Sequence, residues 1–295
     1  MTRIFKPGGR VQSARAVLGT ARAACAVVLC LALGAHTAAI ARAHAPELEP
    51  ARVGVSNLKV FEVAGSEPVA IVAAGTKAVE ARFDYEEASG HEIALVIKGL
   101  GGIDLFRSAS VYSGNGAARV AIDGAAIFPR LSGIVDASAR DAKRNAKQAA
   151  TQSVGTQEFL LSVQAGILRA GYALTTLVAI EGLPDAIASK ATTAAEQIDR
   201  ALRRAERAIA LPADDVAGKQ READAIDVLL GPVVQAAGEL TESAATLPSP
   251  ALPTTGAGPQ DAFVVQVHVD GDVAATTELW VATPPRIYLP YGERR

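Results

Sequence analysis

The segment FVVQVHVDGDVAATTELWVA, residues 263–282, has the pattern of a β-hairpin. Valines alternate with polar residues up to Asp270-Gly271, a dipeptide typical of tight hairpin turns, and apolar residues alternate again after it. About 110 residues before this segment have a helical pattern, and every other strand-like segment lies before about residue 130. We therefore expect the hairpin to complete a sheet that begins some 200 residues earlier.

The register of this hairpin depends on the length of its loop. A two-residue loop would place Glu278 and Trp280 on the valine face, whereas a three-residue loop with a bulge at Gly271 would place Leu279 and Val281 there. The second choice separates the two faces better, and a slip of one residue would reverse every side chain. The expected pairs are Val267 with Val273, Val265 with Ala275, and Phe263 with Thr277.

Residues 46–135 are expected to form the first part of this sheet structure. The segment KAVEARFDY, residues 77–85, puts Val79, Ala81 and Phe83 on one face and charged residues on the other, as in an antiparallel strand with one solvated face. Other candidate strands lie in residues 52–63, 68–74, 91–99 and, as two strands around the Gly114–Gly116 turn, 103–124. About six strands are predicted here, and the hairpin adds two.

Residues 136–247 change to a helical period. Apolar residues recur every three or four positions, with breaks expected at Gly155 and at Gly182–Pro184 and a kink at Gly231-Pro232. The alanine-rich seams favour close helix packing, in a compact antiparallel bundle, a helical hairpin, or a homo-oligomeric coiled coil. The seam positions include Ala139, Ala142, Ala146, Leu160, Val163, Ile167, Ile187, Ala191, Ile198, Ala205, Ile226, Leu230 and Ala237.

Together these patterns predict an α+β fold, an antiparallel β-sandwich with an inserted helical bundle or hairpin. Residues 248–261 are proline-rich and are expected to form an extended linker to the closing hairpin, residues 262–282, which a tail of residues 283–295 follows. The segment VVQVHVDGDVAATTELWV resembles the closing hairpin of immunoglobulin-like sandwich modules common in secreted bacterial proteins. This resemblance implies an Ig-like fold and a surface or adhesive role, and it transfers no catalytic residue.

Residues 1–45 have the pattern of an export signal. Basic residues precede an uncharged run, residues 23–41, and Ala43-His44-Ala45 forms a small-x-small cleavage pattern. Cleavage after Ala45 is expected, with an uncleaved membrane anchor as the alternative, because about 19 uncharged residues approach the length of a membrane span. The protein is therefore expected at the cell surface or outside the cell, touching the membrane only through an uncleaved signal.

Cleavage would change both the charge and the cysteine content. The signal holds six of the 29 Lys and Arg residues and none of the 31 Asp and Glu residues, so the mature chain keeps 23 positive groups and a formal charge of −8. Such a balance argues against nucleic acid as a partner. Cys25 and Cys30 both lie in the signal, which leaves no thiolate for catalysis or metal binding after cleavage.

Only two histidines, His91 and His268, lie in the expected mature chain, both on polar faces of predicted strands. His268 is expected to pair across the hairpin with Asp272, as an exposed cross-strand pair. Carboxylates suit calcium, but no complete calcium-loop pattern is present, and no other cofactor is predicted. The calcium candidates are Asp84, Glu86, Glu87, Asp270 and Asp272.

The sequence contains none of the usual nucleophile, phosphate-loop or zinc-protease motifs, and so supplies no grounds for proposing an enzyme. The expected function is that of an exported structural or binding protein with a protein or glycan ligand. Two alternatives stay open: a secreted hydrolase or glycan-active protein with a site between sandwich and helices, and a membrane-associating protein that uses the apolar helix 159–180. Oligomers could form through the helical seams.

Overall fold

Eight strands and four long helices make up the part of the chain that the computed structural model describes, residues 53–244, 246–247, 249–255 and 262–282. The predicted signal peptide and tail lie outside these residues. The strands are β1 (Gly54–Glu62), β2 (Ile71–Ala73), β3 (Ala78–Glu86), β4 (Glu92–Lys98), β5 (Asp104–Val111), β6 (Gly116–Asp123), β7 (Phe263–Val269) and β8 (Asp272–Ala282). The helices are α1 (Gly124–Thr151), α2 (Thr156–Val178), α3 (Asp185–Ala210) and α4 (Val216–Ala244).

The strands form two sheets. One has the order β1-β3-β6 and the other the order β2-β8-β7-β4-β5. The predicted α+β class is therefore confirmed, and β7 and β8 join the earlier strands as expected. The expectation of purely antiparallel pairing is wrong at one edge, because the short strand β2 runs parallel to the end of β8. A three-residue edge strand makes few ladder hydrogen bonds, and nothing in its sequence specifies its direction.

Alternation along the strands builds the core between the sheets. Val79, Ala81 and Phe83 of β3 are buried, as predicted, and every second residue of β7 from Phe263 to Val269 is buried too. Strand β4 lies between β5 and β7, and residues 93–97 are buried on both of its faces. Ile93, Leu95 and Ile97 belong to one apolar cluster that also includes residues of all four helices.

The β7–β8 hairpin combines features of both registers considered from the sequence. The loop has two residues, Asp270 and Gly271, both with positive φ (50° and 99°), and Val269 pairs with Asp272. A shift in register then follows, so that Val267 pairs with Ala275. This bulge inserts one residue into β8 and returns Leu279 and Val281 to the buried face. The expected placement of Leu279 and Val281 on the buried face is confirmed, whereas the expected loop length and pairs are wrong and Val273 lies on the face of His268.

The four helices pack as a ring, in which α1 contacts α2 and α4, and α3 contacts α2 and α4. The seam residues are buried as predicted, and α2 begins after Gly155 (φ 76°), where a break was expected. Among the alternatives, the compact bundle is therefore the arrangement within the chain. The predicted boundary at residue 136 is wrong, because α1 begins at Gly124 and continues through Pro129.

The helical segment leaves and rejoins the sheets at adjacent points. The Gly124 N–H donates to the Lys77 carbonyl (2.9 Å), and the Leu252 N–H donates to the neighbouring Thr76 carbonyl (2.7 Å). Leu252 is buried, so the described part of the predicted linker packs against the protein instead of forming a free connector. The helices thus lie between two neighbouring points of the sheet structure, as expected for an insertion.

Candidate functional site

Four chain segments meet at the end of the sheets from which no helix departs. Gly54 pairs with Glu86 and Ile93 with Val269, so the start of β1, the β3–β4 loop and the β7–β8 turn lie at this end. The β5–β6 loop, residues 112–115, joins them. We call this region the loop end. The helices begin at the other end of β6, roughly 25 Å away for strands of this length.

Asp270 fastens the hairpin turn to the β3–β4 loop. Its carboxylate accepts hydrogen bonds from His91 Nδ1 (2.5 Å) and from the Glu92 N–H (2.9 Å). The Asp270 N–H in turn donates to the Glu92 carbonyl (2.9 Å). The left-handed backbone of Asp270, which Asp tolerates better than most residues, orients the side chain toward this loop. Three hydrogen bonds therefore fix the position of the turn.

These contacts also affect the ionisation of Asp270. The hydrogen bond from His91, followed by that from the Glu92 N–H, lowers the pKa of the Asp270 carboxyl below its ordinary value. The carboxylate therefore carries its charge throughout the neutral range. In that state it accepts from both donors at once, and the two loops stay joined.

A second set of hydrogen bonds joins the β3–β4 loop to the β5–β6 loop. The Glu87 N–H donates to Asn115 Oδ1 (2.8 Å), and the Gly114 N–H donates to Ser89 Oγ (3.0 Å). The Ala88 N–H donates to the Gly114 carbonyl (3.0 Å). The β3–β4 loop is thus bonded on both sides, to the turn and to the β5–β6 loop, and the three segments form one continuous surface.

Aromatic and apolar side chains accompany these loops. Tyr85 and Tyr112 are half-buried, with ring centroids 4.7 Å apart and planes tilted by 43°. The Tyr85 hydroxyl lies over Gly116, where an added Cβ would be 2.7 Å from its oxygen. Val111 and Val273, at the ends of their strands, are 73% and 53% exposed. The loop end therefore presents apolar groups beside hydrogen-bonding groups, which is typical of binding surfaces.

The calcium candidates are not gathered into one cluster. Asp84 accepts a hydrogen bond from Asn57 Nδ2 (2.8 Å), while Asp270 is engaged by His91. Within the described residues, no group of three or more His, Cys, Asp or Glu side chains is placed to hold a metal ion. Glu86, Glu87 and Asp272 lie at the loop end with the other two, and calcium binding there stays a prediction without geometric support.

The predicted pair of His268 with Asp272 is wrong. Because the loop has two residues, His268 stands opposite Val273, and its ring contacts the Gly271 carbonyl (3.0 Å) and Gln266 Oε1 (3.1 Å). The pair that does form, His91 with Asp270, joins residues 179 positions apart. In the sequence, both residues of this pair border predicted turns, but this feature does not indicate that they contact each other.

A pocket of about 350 Å³ lies where the sheets meet the helices. Its described lining consists of Leu100, Thr175, Thr176, Ala179, Thr254, Thr255 and Phe263. Three of its hydroxyls already donate to backbone carbonyls, and no acid or base is among these lining residues. His91, Asp84 and Glu86 lie at the opposite end of the sheets, while Lys77 and Glu181 line a second pocket of about 330 Å³ between sheets and helices.

The loop end can offer hydrogen bonds, a fixed negative charge and apolar contact. Its imidazole donates to a carboxylate, but among the described residues no serine or threonine hydroxyl is hydrogen-bonded to either histidine, as a nucleophile–base pair would require. No protein-family model, curated protein or solved structure matches this chain. The chemistry of the loop end is therefore inferred from its geometry alone.

Proposed function

We propose that this chain is an exported structural or binding protein whose loop end contacts a protein or glycan partner at the cell surface. The observation that carries this proposal is the joining of three chain segments into one surface by side chains, at the end of the sheets opposite the helices. Loops fixed before binding lose little conformational entropy when a partner arrives, which favours affinity. The helices join the sheets at the opposite end, so they would leave this surface open to a partner.

An Ig-like sandwich is the fold proposed for the sheets. Two sheets with a shared apolar core, a chain that crosses between them at residues 112–115, and a closing hairpin support it. The parallel pairing of β2 with β8 is a departure from a purely antiparallel sandwich. An experimental structure of residues 46–295 tests this part of the proposal, through the angle between the two sheets.

Export is proposed from the signal pattern of residues 1–45. Expression of the full chain in a bacterium, followed by fractionation and N-terminal mass analysis, tests it. We expect a product that begins at Pro46 outside the cytoplasm. A product that keeps its first 45 residues and stays in the cytoplasm would contradict export.

The alternative functions have less support. None of the helices in the described residues is long and apolar enough to cross a membrane. The most apolar of them, α2, directs Leu160, Val163, Ile167 and Leu174 into the core. A hydrolase site between sheets and helices would need acids or bases, which the described lining of the 350 Å³ pocket lacks and of which the described lining of the second pocket has Lys77 and Glu181.

A binding array with matched variants tests the proposed surface. Residues 46–295 are applied to protein and glycan arrays, and any ligand found is tested again with Val111→Asp and with Val228→Asp. The two valines are similarly exposed, at 73% and 68%, but Val228 lies on α4. We expect Val111→Asp to weaken binding and Val228→Asp to leave it unchanged. Equal binding by both variants would remove the loop end as the contact surface.

A further inference from the structure

A cleft of about 440 Å³ lies between α1 and α2, distinct from the loop end. We call it the α1–α2 cleft. Helix α1 contributes Arg130, Gly133, Ile134, Ala137, Ser138 and Asp141, and helix α2 contributes Arg169. Arg130 and Asp141 are eleven residues apart, so the cleft follows α1 for roughly 16 Å at about 1.5 Å per residue.

Gly133 lines the cleft beside open space. A Cβ added there would meet nothing within 4 Å, so no neighbouring atom requires a glycine. Gly in a helix interior costs about 1 kcal/mol relative to Ala, and here no packing contact offsets this loss. The contrast is Gly166 of α2, where an added Cβ would lie 3.0 Å from Ala142 Cβ and 3.1 Å from the Ser138 carbonyl oxygen. Gly166 therefore serves helix packing, whereas Gly133 leaves an open surface.

A largely buried serine lines the same cleft. Ser138 is only 7% exposed, but its hydroxyl is not one of the fully buried polar atoms that lack a hydrogen-bond partner within the described residues. Thr151, Thr176 and Thr241 in the same bundle donate to the carbonyl four residues earlier, whereas the Ser138 hydroxyl makes no hydrogen bond with a described residue and so keeps some contact with solvent in the cleft. A ligand in the cleft could exchange a hydrogen bond with this hydroxyl.

The charges around the cleft favour an anion. Arg169 has no carboxylate partner among the described residues. Arg130 donates from Nε to the Asp104 carbonyl (2.5 Å), and its Nη2 lies 3.8 Å from the Asp104 carboxylate, so its charge is partly balanced by Asp104. The one carboxylate in the cleft, Asp141, is paired with Arg144 (2.7 Å). Arg169 therefore supplies the positive charge of the cleft that no described carboxylate balances.

We propose that the α1–α2 cleft binds a small organic anion. A carboxylate or phosphate group would accept hydrogen bonds from Arg169, because arginine donates paired hydrogen bonds to both kinds of oxyanion. An apolar part of the ligand would pack against Ile134 and Ala137, and an acceptor atom would receive the Ser138 hydroxyl. This site is separate from the loop end and does not depend on the partner proposed there.

NMR titration of residues 46–295 at low salt tests the site, with benzoate, phenyl phosphate and inorganic phosphate as probes. We expect saturable shifts of the amides of residues 130–141 with at least one aromatic probe, at a Kd below about 10 mM. The first two probes distinguish carboxylate from phosphate, and inorganic phosphate shows whether the apolar part contributes. Shifts spread over the whole surface, or none, would overturn the proposal.

Four variants make the assignment specific. Arg169→Gln is expected to weaken binding roughly tenfold, since it removes a charge-assisted hydrogen bond. Gly133→Leu is expected to abolish binding by filling the cleft. The controls are Arg200→Gln on the exposed face of α3 and Gly238→Leu on α4, where an added Cβ also meets nothing within 4 Å. The proposal is wrong if folded Gly133→Leu and Arg169→Gln proteins bind the probe as tightly as their controls.

Discussion

Two glycines of α1 show how differently the same residue type can be used. An added Cβ at Gly124, where the chain leaves the sheets, would lie 2.7 Å from the Ala251 carbonyl oxygen and closer still to that of Pro250. These are backbone atoms of the returning segment, which cannot rotate away as a side chain would. Gly124 therefore permits the two ends of the helical segment to lie side by side, while Gly133 is free of contacts.

Substitution of these glycines by alanine should change stability in opposite directions. We expect Gly124→Ala to lower the free energy of unfolding by about 1–3 kcal/mol, because the backbone must shift. Gly133→Ala should raise it by about 0.5–1 kcal/mol through helix propensity alone. Urea denaturation followed by circular dichroism measures both values. Equal effects of the two substitutions would contradict this interpretation of the junction.

The His91 contact makes the ionisation of Asp270 a second residue-scale test. His91→Ala removes the larger of the two hydrogen bonds that lower the pKa of Asp270, so this pKa should rise toward its ordinary value. His268→Ala is the control, because His268 contacts Gly271 and Gln266 instead. NMR titration of the Asp270 side-chain carboxyl carbon measures the change. An identical pKa in the wild-type and His91→Ala proteins would show that the contact does not form.

The direction of the pH effect follows from the lowered pKa. Folding favours the charged form of Asp270, so its contribution to stability is present above the pKa that the carboxyl has in the unfolded chain. This contribution is lost as the pH falls through the lower pKa of the folded state. The tie between the hairpin turn and the β3–β4 loop should therefore persist through the neutral range and weaken only in acid.

At the scale of elements, the hairpin depends on which face each residue occupies. Val267 of β7 is fully buried, while Val264 on the opposite face of the same strand is only half-buried. The bulge in β8 aligns Leu279 and Val281 with the buried valines, so the hairpin contributes a continuous apolar face to the core. The stability of the protein should therefore respond more to changes on the fully buried face of β7 than to changes on its other face.

Alanine substitution on the two faces of β7 measures this difference. Val267→Ala should lower the free energy of unfolding by about 2 kcal/mol, since it removes two buried methyl groups and leaves a cavity. Val264→Ala should change it by less than about 0.5 kcal/mol. Chemical denaturation of both variants gives the comparison. A larger loss for Val264→Ala would mean that the register of β7 is shifted by one residue.

At the scale of the whole molecule, sheets and helices share one apolar cluster. Phe128 and Leu131 of α1 belong to the same cluster as Ile97 of β4 and Val265 of β7. A core of this kind couples the two parts, although the chain enters and leaves the helical segment at neighbouring points. We therefore expect the described unit to unfold cooperatively, not as sheet and bundle in turn.

Two probes can follow the two parts in one thermal experiment. Trp280, the single tryptophan of the chain, lies in β8, whereas circular dichroism at the helical band reports mainly on α1–α4. We expect both signals to change at the same midpoint in residues 46–295. A helix variant such as Ala201→Asp, at a fully buried seam position, should lower both midpoints together. Separate midpoints for the two signals would show that the parts fold independently.

Much of this architecture follows from local pattern. The seams of Ile187, Ala191 and Ile198 in α3, and the alternation of Val79, Ala81 and Phe83 in β3, were correct because each depends only on the period of its own element. The site was harder to predict from the sequence. Asp270 was identified as a calcium candidate and His91 as an exposed histidine, but nothing indicated that the two residues form a pair. Local sequence does not specify which distant loop a turn will meet.

The sequence by itself therefore determined the periods, the breaks and the return of the chain to a sheet after the helices, because these depend on side chains a few residues apart. Only the tertiary structure decided the hairpin register, the parallel edge strand, the His91–Asp270 tie and the α1–α2 cleft. Each of these features depends on contacts between different segments of the chain that only the folded structure brings together. The bulge shows the reason most clearly: the Asp270-Gly271 turn favours a two-residue loop, the core requires Leu279 and Val281 inward, and one extra residue in β8 satisfies both.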